Sequence, residues 1–526
     1  MPKEKKQKMK KKSHKIIKII LITFALVIAL VAIIGFIFFR RMNAPLRANL
    51  NASEDAVATT TAGLVKGAID DGIYVYLGMP YAEAKERFVR AEALEPWDGV
   101  REYTEYGAIS LQSSFMGMGG TDNQDNNCQN LNLWTPELND GGKRPVMVWL
   151  HGGGFSSGSA NEASTNGKNL AKEEDVVVVT VNHRLGAAGY LNLSAFDEKY
   201  KDSANVGMWD VIDALTWIQD NIEYFGGDPD NVTIFGQSGG GAKVLTLMST
   251  PYAKGLFHKG INQSGATETV GPKLTPEEVS LRITELTLEK LGITAENIED
   301  IQSISFEELN NAGTEAIAQV AEEFQYESPF GGSYSYEWEP VVEGDFLPTD
   351  PVLDEGFAET GYDIPLLIGS NLNEWNFMGR SSDVSEEVVT AFKEAYPNID
   401  EENAGSVDSM LRVPLLRTTA HKADQGGAPV YSYIFTYGAP RCTHGAEIPY
   451  IFGNVDSTSA DEAMEKTMRG IWAAFARTGI PQVDGIPTWE AYTRDGGATM
   501  IIGENSELAY NHDLKLLELL EPGFDY

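Results

Sequence analysis

Residues 232–248, VTIFGQSGGGAKVLTLM, restrict the possible fold more than any other segment of the chain. The apolar run 232–235 predicts a buried strand, and a helix-compatible run follows after a few glycine-rich residues. A serine at a sharp strand-to-helix turn has strained backbone geometry, so the residues two before and two after it must be very small. Gly236 and Gly240 stand at those positions around Ser238. The segment predicts Ser238 as a nucleophile raised above a sheet, with a glycine-rich structural turn as the alternative.

The same five-residue pattern occurs a second time at residues 154–158, GFSSG, with Ser156 at its centre. No helical pattern begins directly after Ser156, whereas Ser238 has a strand before it and a helix after it. We therefore expect the nucleophile to be Ser238.

Short apolar runs rich in β-branched residues alternate with helical patterns along the chain. Val146–Leu150, Val176–Val181 and Leu366–Gly369 predict further strands, and apolar residues recur at helical spacing over residues 206–224. Runs that are apolar throughout are typical of strands buried on both faces. We predict an α/β fold with a mainly parallel central sheet flanked by helices, forming one body over residues 60–526.

A largely helical stretch over residues 275–325 separates two of the predicted strands. Thr275, Pro276 and Glu278 predict a capping box at its start, with threonine as the N-cap and proline at the first helical position. Because the stretch separates two strands, we expect a helical cap above the sheet, inserted at about residues 272–345.

Ile19–Phe39 is a run of 21 residues without a charge. At about 1.5 Å per residue, a helix of this length crosses a bilayer core of about 30 Å. Residues 1–18 hold nine lysines, which favours a cytoplasmic N-terminus and an extracytoplasmic body. We therefore expect a single-pass membrane anchor followed by a linker at residues 40–59. The alternative is secretion after signal cleavage, which the length of the run and the Arg40-Arg41 that closes it disfavour.

The chain has 41 Lys+Arg against 76 Asp+Glu, a formal net charge of −35. Since residues 1–41 carry a net charge of +10, the body carries −45. Such a body repels phosphates, so no nucleic-acid partner is expected. The two cysteines, Cys128 and Cys442, exclude a disulfide-dense scaffold and a cysteine-rich metal site. We expect no metal and no organic cofactor.

The predicted strand 146–150 leads into HGGGF, residues 151–155. Consecutive glycines allow backbone N–H groups to face a ligand without intervening side chains. Acyl transfer needs such donors about 2.7–3.1 Å from the developing oxyanion. Gly153 and Gly154, with the N–H of Gly239 after the serine, are the candidate oxyanion donors. A flexible glycine turn is the alternative, and a phosphate loop is disfavoured because no Gly-Lys-Ser/Thr follows.

A nucleophilic serine needs a base, and the base needs a carboxylate that orients it. His444 follows the predicted strand 430–437 and lies in a loop beside Gly445, a placement that suits a base. Glu374 comes just past the predicted strand 366–369. A hydrogen-bonded structural histidine is the alternative for His444, and composition alone does not select Glu374 among the glutamates. The other histidines fit the role less well: His14, His151, His183, His258, His421 and His512.

Ordered blocks along the body resemble the type-B carboxylesterase/cholinesterase family of α/β-hydrolases, from about residue 60 to the C-terminal region. The resemblance implies the α/β-hydrolase fold, with Ser238 as nucleophile, Glu374 as acid and His444 as base, in the chain order expected of that fold. It also implies the three glycines above as oxyanion donors. The matching blocks are YLGMPYA (76–82), NLNLWTP (130–136), VMVWLHGGGF (146–155), VVVTVNHRLGAAGYL (177–191), NVGMWDVIDALTWIQDNIEYFGGDPDNVTIFGQSGGG (205–241), INQSG (261–265), PVVEGDFLP (340–348), GSNLNEW (369–375) and HGAEIPYIFG (444–453).

The chain departs from the family pattern near the serine. Gln237 stands where members usually carry an acid, which predicts an altered rate or substrate charge preference without loss of the triad. Gly239 stands where alanine is usual. Residues 113–127 contain no tryptophan, so choline binding through cation–π contact is not expected.

Cys128 aligns with a family cysteine that often forms a disulfide, but Ser110 occupies the usual partner position, so that bridge is absent. A Cys128–Cys442 bridge outside the cytoplasm stays open as an alternative.

These features predict a membrane-anchored serine esterase that cleaves small-molecule esters through an acyl-enzyme. Two alternatives remain: a non-catalytic cell-surface recognition module, as some relatives with this fold are, and a lipase for longer acyl chains. The aromatic-rich residues 326–338 would line the acyl pocket of a lipase, or simply pack on the core as loop side chains.

Overall fold

The computed structural model describes residues 48, 50–113, 123–267, 274–324, 337–353, 356–376, 384–455 and 458–524. Within these ranges, no helix is both long and apolar enough to cross a membrane. The predicted membrane span Ile19–Phe39 and the basic segment before it lie outside the described residues.

The strands of the described residues are numbered in chain order. They are β1 Ala52–Thr59, β2 Leu64–Asp70, β3 Ile73–Pro80, β4 Val100–Glu102, β5 Asn130–Thr135, β6 Arg144–Leu150, β7 Val177–Val181, β8 Gly227–Gln237, β9 Lys259–Gln263, β10 Thr275–Pro276, β11 Val341–Val342, β12 Val352–Leu353, β13 Gly356–Phe357, β14 Leu366–Asn371, β15 Val430–Phe435, β16 Ala498–Ile502 and β17 Glu507–Tyr510.

The α-helices are numbered in the same way. They are α1 Lys168–Glu174, α2 Gly186–Tyr190, α3 Val206–Asn221, α4 Gly239–Ser249, α5 Glu277–Leu291, α6 Phe306–Glu323, α7 Glu386–Ala395, α8 Arg412–Asp424, α9 Ile448–Phe452, α10 Ser459–Thr478 and α11 Leu514–Leu520. The predicted strands are confirmed as parts of β6, β7, β8, β14 and β15, and the helix predicted over residues 206–224 is confirmed as α3 with a 3-10 turn after it.

One large sheet organises the chain, in the order β1-β2-β3-β5-β7-β6-β8-β9-β14-β15-β16-β17, with β4 beside β2. The seven strands from β7 to β16 in this order are parallel to one another. The strands on either side of them pair antiparallel, except β4, which is parallel to β2. The sheet is therefore mainly parallel, as predicted: its centre is parallel, with helices connecting the strands, and its edges are largely antiparallel, with short turns joining β1 to β2, β2 to β3 and β16 to β17.

The central strands bury both faces, as their unbroken apolar sequences predict. In β6, Val146, Val148 and Leu150 pack into one core, whereas Met147 and Trp149 pack into a second core on the opposite face. Since successive side chains alternate between the faces of a strand, a strand between two helical layers must be apolar at every position.

The predicted linker at residues 40–59 is wrong for residues 52–59, which form β1 at the edge of the sheet. Its sequence, ASEDAVAT, has only part of one face buried, so it lacks the continuous apolar run that marks the central strands. The body of the protein therefore begins before residue 60.

The predicted capping box at Thr275 is also wrong. Thr275 and Pro276 form β10, parallel to β11, and α5 begins only at Glu277 without a side-chain cap. The Thr275 hydroxyl donates to the Glu339 carboxylate at 2.7 Å, so it is not available to the helix. Within the described part of residues 272–345, α5 and α6 are the α-helices; the boundaries of the proposed cap stay a prediction.

Candidate active site

Ser238 lies at the turn between β8 and α4, with φ 58° and ψ −127°, a conformation that residues with side chains rarely adopt. A Cβ at Gly240 would lie 2.0 Å from the carbonyl oxygen of Leu150, and a Cβ at Gly236 would lie 2.5 Å from the same oxygen. The Ser238 N–H donates to the carbonyl oxygen of Gln263 at 2.8 Å, which ties the turn to β9. The serine is half-buried. The steric reason for the two flanking glycines is therefore present in the fold.

The candidate oxyanion glycines come from two segments that meet. Gly153 and Gly154 follow β6 with φ of 89° and 63°, and Gly239 is the first residue of α4. A Cβ on Gly239 would lie 2.3 Å from the carbonyl oxygen of Gly154, so alanine does not fit at 239 without movement. A Cβ on Gly152 would lie 3.4 Å from the Cβ of Ser238. The structure thus brings the predicted glycines together beside the serine.

Glu374 and His444 come from loops after the neighbouring parallel strands β14 and β15. Glu374 Oε2 is 2.6 Å from His444 Nδ1. The other carboxylate oxygen, Oε1, accepts hydrogen bonds from the Ser264 hydroxyl at 2.6 Å and from the Asn371 N–H at 2.7 Å. The Glu374 side chain is fully buried, whereas 16% of the His444 side chain is exposed. The acid is therefore fixed from two sides and presents its remaining oxygen to the imidazole.

Several carboxylates act on the charge of His444. Burial lowers its pKa, but attraction to Glu374 and the hydrogen bond with it raise the pKa, and Glu447 and Asp408 add to that rise. The net result is a pKa of His444 above the usual value for histidine. This environment favours the imidazolium that a general base becomes when it accepts a proton.

Trp375 stacks on the His444 ring, with ring centroids 4.4 Å apart and planes inclined by 25°. The face of an indole attracts a cation, so this contact also favours imidazolium. In the described part of the chain, His444 Nε2 is buried without a hydrogen-bond partner, and no hydrogen bond joins it to Ser238. Hydrogen bonds between catalytic groups are often long before a substrate binds.

Gln237 is 5% exposed and lies between the glycine loop and the histidine loop. Its Oε1 is 3.4 Å from where a Cβ on Gly152 would be, and 3.7 Å from where a Cβ on Gly445 would be. Among the described contacts its Nε2 has no hydrogen-bond partner. Since a carboxylate would lack that donor, the amide changes the hydrogen bonding of the site as well as its charge.

Sequence reasoning missed the residues that support the acid and the base. Besides Ser264 and Asn371, these are Trp375 and Glu447, which accepts from Asn371 at 2.6 Å and from Gln263 at 3.0 Å. Ser264 and Glu447 lie in the matching blocks INQSG and HGAEIPYIFG, so the blocks marked the segments without giving a role. A single serine or glutamate has no local pattern that identifies its partner.

Ser156, at the centre of the second Gly-x-Ser-x-Gly pattern, lies in the loop after β6. The next helical element is the 3-10 turn Ala163–Thr165, so the absence of a helix directly after Ser156 is confirmed. Its hydroxyl donates to the carbonyl oxygen of Trp338 at 3.4 Å.

Other histidines sit in arrangements that do not suit a base. The rings of His151 and His183 stack 5.0 Å apart, and burial lowers the pKa of His151 to about 3. His512 Nδ1 is 3.6 Å from Asp513, but Arg412 binds that carboxylate at 2.8 Å.

Cys128 and Cys442 are both buried free thiols, so the alternative of a bridge between them is wrong. The Cys442 Sγ lies 3.0 Å from Asn373 Oδ1. Burial raises the pKa of both thiols, which keeps them protonated and unreactive at neutral pH.

The chain is similar to known proteins over nearly all of the described strands and helices. A family model described as the carboxylesterase family matches residues 54–406 and 403–517. The para-nitrobenzyl esterase of Bacillus subtilis (strain 168) is 32% identical over 495 residues, which cover 87% of this chain and 96% of that protein. The phenmedipham hydrolase of Pseudarthrobacter oxydans is 31% identical over 499 residues, which cover 86% of this chain and 96% of that protein.

A solved structure gives the same result. An esterase from the anaerobic Clostridium hathewayi, described as able to hydrolyse aliphatic aromatic polyesters, matches with a TM-score of 0.81 and 34% identity. The match covers 90% of this chain and 99% of that one.

Proposed function

The chain belongs to the carboxylesterase family and is a carboxylic-ester hydrolase, and on this premise we propose that Ser238, His444 and Glu374 are its catalytic triad. The observation that carries the proposal is the buried carboxylate of Glu374, 2.6 Å from His444 Nδ1. A carboxylate in this position holds the imidazole in the tautomer whose Nε2 accepts a proton. Ser238, on a strained turn beside glycine N–H groups, is the nucleophile.

In the first half of the reaction, His444 Nε2 accepts the hydroxyl proton as Ser238 Oγ attacks the ester carbonyl carbon. The carbonyl oxygen becomes an oxyanion, which the N–H groups of Gly153, Gly154 and Gly239 bind. The tetrahedral intermediate collapses, the C–O bond to the alcohol breaks, and His444 returns the proton to the leaving alkoxide. This leaves the acyl group on Ser238.

In the second half, water replaces the alcohol. His444 accepts a proton from water as its oxygen attacks the acyl carbon, and the same glycine donors bind the second oxyanion. Collapse releases the carboxylic acid, and His444 returns its proton to Ser238 Oγ. Glu374 stabilises the imidazolium in both halves without becoming protonated itself.

The test of the triad is the variant Ser238→Ala, measured with a para-nitrobenzyl or short-chain aryl ester. We expect kcat to fall by at least about 10⁴-fold, because loss of a triad nucleophile removes the acyl-enzyme route. An organophosphonate probe should label the wild-type protein and not the variant. Undiminished turnover, or labelling of the variant at the same rate, would refute Ser238 as the nucleophile.

Small esters are proposed as substrates because one relative is named a para-nitrobenzyl esterase and another a phenmedipham hydrolase. Membership in a family of named esterases favours catalysis over the recognition module considered above. A lipase for long acyl chains shares the same chemistry, and most of the aromatic segment 326–338 that would line its pocket, residues 326–336, lies outside the described residues. A panel of esters graded by acyl length separates the two: we expect kcat/KM to be highest for short chains, and a maximum beyond about eight carbons would favour the lipase.

We also propose that a helix over Ile19–Phe39 anchors the protein, with its N-terminus in the cytoplasm and the esterase body outside. The support is the uncharged run and the nine lysines before it. Deletion of residues 1–41 should move the activity from the membrane fraction to the soluble fraction. Full-length protein found soluble at its full mass would contradict the anchor, and soluble protein of lower mass would indicate signal cleavage.

A further inference from the structure

A lysine is buried directly behind the candidate oxyanion site. Lys243 lies on α4, five residues after Ser238, and none of its side chain is exposed. Burial lowers the pKa of Lys243 to about 7. In the described part of the chain no carboxylate forms an ion pair with it, although a buried lysine is rarely found without one. Because burying an unpaired amine costs free energy, its position behind the candidate oxyanion site needs a physical explanation.

The amine bridges the glycine loop. Lys243 Nζ donates to the carbonyl oxygen of His151 at 3.0 Å and to the carbonyl oxygen of Gly154 at 2.8 Å. It also lies 5.0 Å from the ring centroid of Phe155. These two carbonyls belong to the peptide groups 151–152 and 154–155. The N–H groups of Gly153 and Gly154 belong to the two peptide groups in between, 152–153 and 153–154. The Lys243 side chain therefore binds the peptide groups on both sides of the candidate donors.

The two peptide groups in between have contacts of their own: the carbonyl oxygen of Gly152 is 2.8 Å from His151 Nδ1, and that of Gly153 accepts from the N–H and the hydroxyl of Ser157, each at 3.0 Å. Lys243 adds the contacts that hold the peptide groups at both ends of the loop. Gly153 and Gly154 have φ of 89° and 63°, and glycine changes between backbone conformations at low cost. Rotation of a peptide group in this loop would replace an N–H by a carbonyl oxygen at the oxyanion site, and that oxygen would repel the oxyanion. An oxyanion site acts only if its donors are already oriented when the charge forms.

Two further contacts fit this arrangement. The carbonyl oxygen of Gly154 occupies the space of a Cβ on Gly239, 2.3 Å from it, so the glycine at 239 makes room for the carbonyl that Lys243 binds. Burial, with the charge of Lys243 as a second cause, holds the pKa of His151 and that of His183 well below the usual value for histidine. Both rings are therefore neutral at neutral pH and add no competing cation.

We propose that Lys243 is a positioning residue that holds residues 151–154 so that the N–H groups of Gly153 and Gly154 point at the oxyanion. It touches no reacting atom; it acts through the loop. Because the oxyanion exists only in the transition states and tetrahedral intermediates, Lys243 contributes to kcat and little to substrate binding. This inference rests on the triad and oxyanion site proposed above.

The test is Lys243→Met, which keeps the length and apolar stem of the side chain and removes its donors. The matched control is Lys422→Met. Lys422 is also fully buried on a helix, donates to the carbonyl oxygen of Tyr362 at 3.1 Å, and has a pKa lowered to about 8 by burial. Both variants lose a buried amine, but only Lys243 contacts the glycine loop.

We expect Lys243→Met to lower kcat by about 10- to 100-fold, less than the roughly 10²- to 10³-fold loss for removal of one oxyanion donor. KM should stay within about threefold, and Lys422→Met should keep the wild-type kcat. Affinity for an aryl trifluoromethyl ketone, whose adduct with serine carries the oxyanion, should fall in parallel with kcat/KM. A purely structural role would lower thermal stability in both variants without this split between kcat and KM.

A folded Lys243→Met protein with wild-type kcat, or with equal losses in Lys422→Met, would overturn the proposal. If Lys243→Met does not fold, Lys243→Gln decides, because its amide nitrogen lies one bond short of the position of Nζ and no longer bridges the carbonyl oxygens of His151 and Gly154. A lower kcat at unchanged KM supports the proposal, and wild-type kcat refutes it. Failure of the triad itself would appear separately, as turnover by Ser238→Ala.

Discussion

The chain contains the pattern Gly-x-Ser-x-Gly twice, and the two copies lie in different structures. Ser238 is at the junction of β8 and α4 with φ 58°, whereas Ser156 is in the loop after β6, where its N–H and hydroxyl bond loop carbonyls at 3.4 Å. The same five-residue pattern therefore forms a strained turn at the start of a helix around Ser238 and an ordinary loop turn around Ser156. The strand before and the helix after the serine make the difference.

The first glycines of the two copies also serve different purposes. Around Ser238, Gly236 and Gly240 are required because the carbonyl oxygen of Leu150 lies where their Cβ atoms would be. In the other copy, no atom lies within 3.5 Å of a Cβ on Gly154, and its φ of 63° is what favours glycine there. Gly158 is required sterically, since a Cβ there would lie 2.4 Å from the carbonyl oxygen of Gly152. Gly154 belongs to the candidate oxyanion loop, so the second copy of the pattern contributes a residue to the candidate site around Ser238.

The largest effect among the variants of this comparison is expected for Glu374→Gln. If Ser238 differs from Ser156 because a base stands near it, removal of the carboxylate that orients the base should lower kcat by about 10³- to 10⁴-fold. The amide of glutamine stabilises the wrong tautomer of His444. The measurement is steady-state turnover of an aryl ester, with the thermal midpoint as a control for folding. Loss of less than tenfold would indicate that the turn alone distinguishes the two serines.

A smaller effect is expected from Trp375, which stacks on His444, the base proposed for Ser238. The raised pKa of His444 places the acid limb of kcat/KM above the usual histidine value, because the base must be neutral to accept the proton. Trp375→Leu removes the stacked indole and should shift that limb to lower pH by about 0.5–1 unit, the equivalent of a cation–π contact of roughly 1 kcal/mol.

The conservative variant Trp375→Phe keeps an aromatic face and should give a smaller shift in the same direction. The pH profile of kcat/KM for the three proteins is the measurement. An unchanged or higher midpoint in Trp375→Leu would show that the stack does not stabilise the imidazolium.

The smallest effect is expected for Ser156→Ala. Its hydroxyl makes one long hydrogen bond, to the carbonyl oxygen of Trp338, so stability should change by about 0.5 kcal/mol and kcat by less than twofold. Turnover of the same aryl ester and a urea titration measure both quantities. A tenfold loss of kcat would mean that the second copy of the pattern takes part in catalysis after all.

Much of the fold could be predicted because it depends on short-range patterns. The unbroken apolar sequence of β6 predicts burial on both faces, and the helical spacing of apolar residues in α3 predicts one buried face. The failures have physical causes too. Thr275 carries a capping sequence, but Glu339, 64 residues away, binds its hydroxyl. β1 has an edge-strand sequence that resembles a polar linker.

In the candidate site, too, some residues could be predicted from local sequence and others could not. Ser238 and its glycines could be chosen from the residues alone, whereas Glu374 and His444 were singled out by the family resemblance. Their contact spans 70 residues of sequence and exists because β14 and β15 are neighbours in the sheet. Trp375 lies in the matching block GSNLNEW and Lys243 lies just after the glycines that follow Ser238, but neither has a sequence pattern that identifies its partner.

The sequence by itself determined the strand–turn–helix around Ser238 and the glycine loop after β6, because backbone sterics act within about five residues. Only the tertiary structure decided which carboxylate contacts His444, the proposed base, which indole stacks on it, and that the amine of Lys243 contacts a loop about 90 residues earlier in the chain. These are contacts between strand ends and helix starts that the order of strands in the sheet brings together. Local backbone conformation depends on neighbouring residues, whereas long-range contacts depend on the packing of the whole sheet.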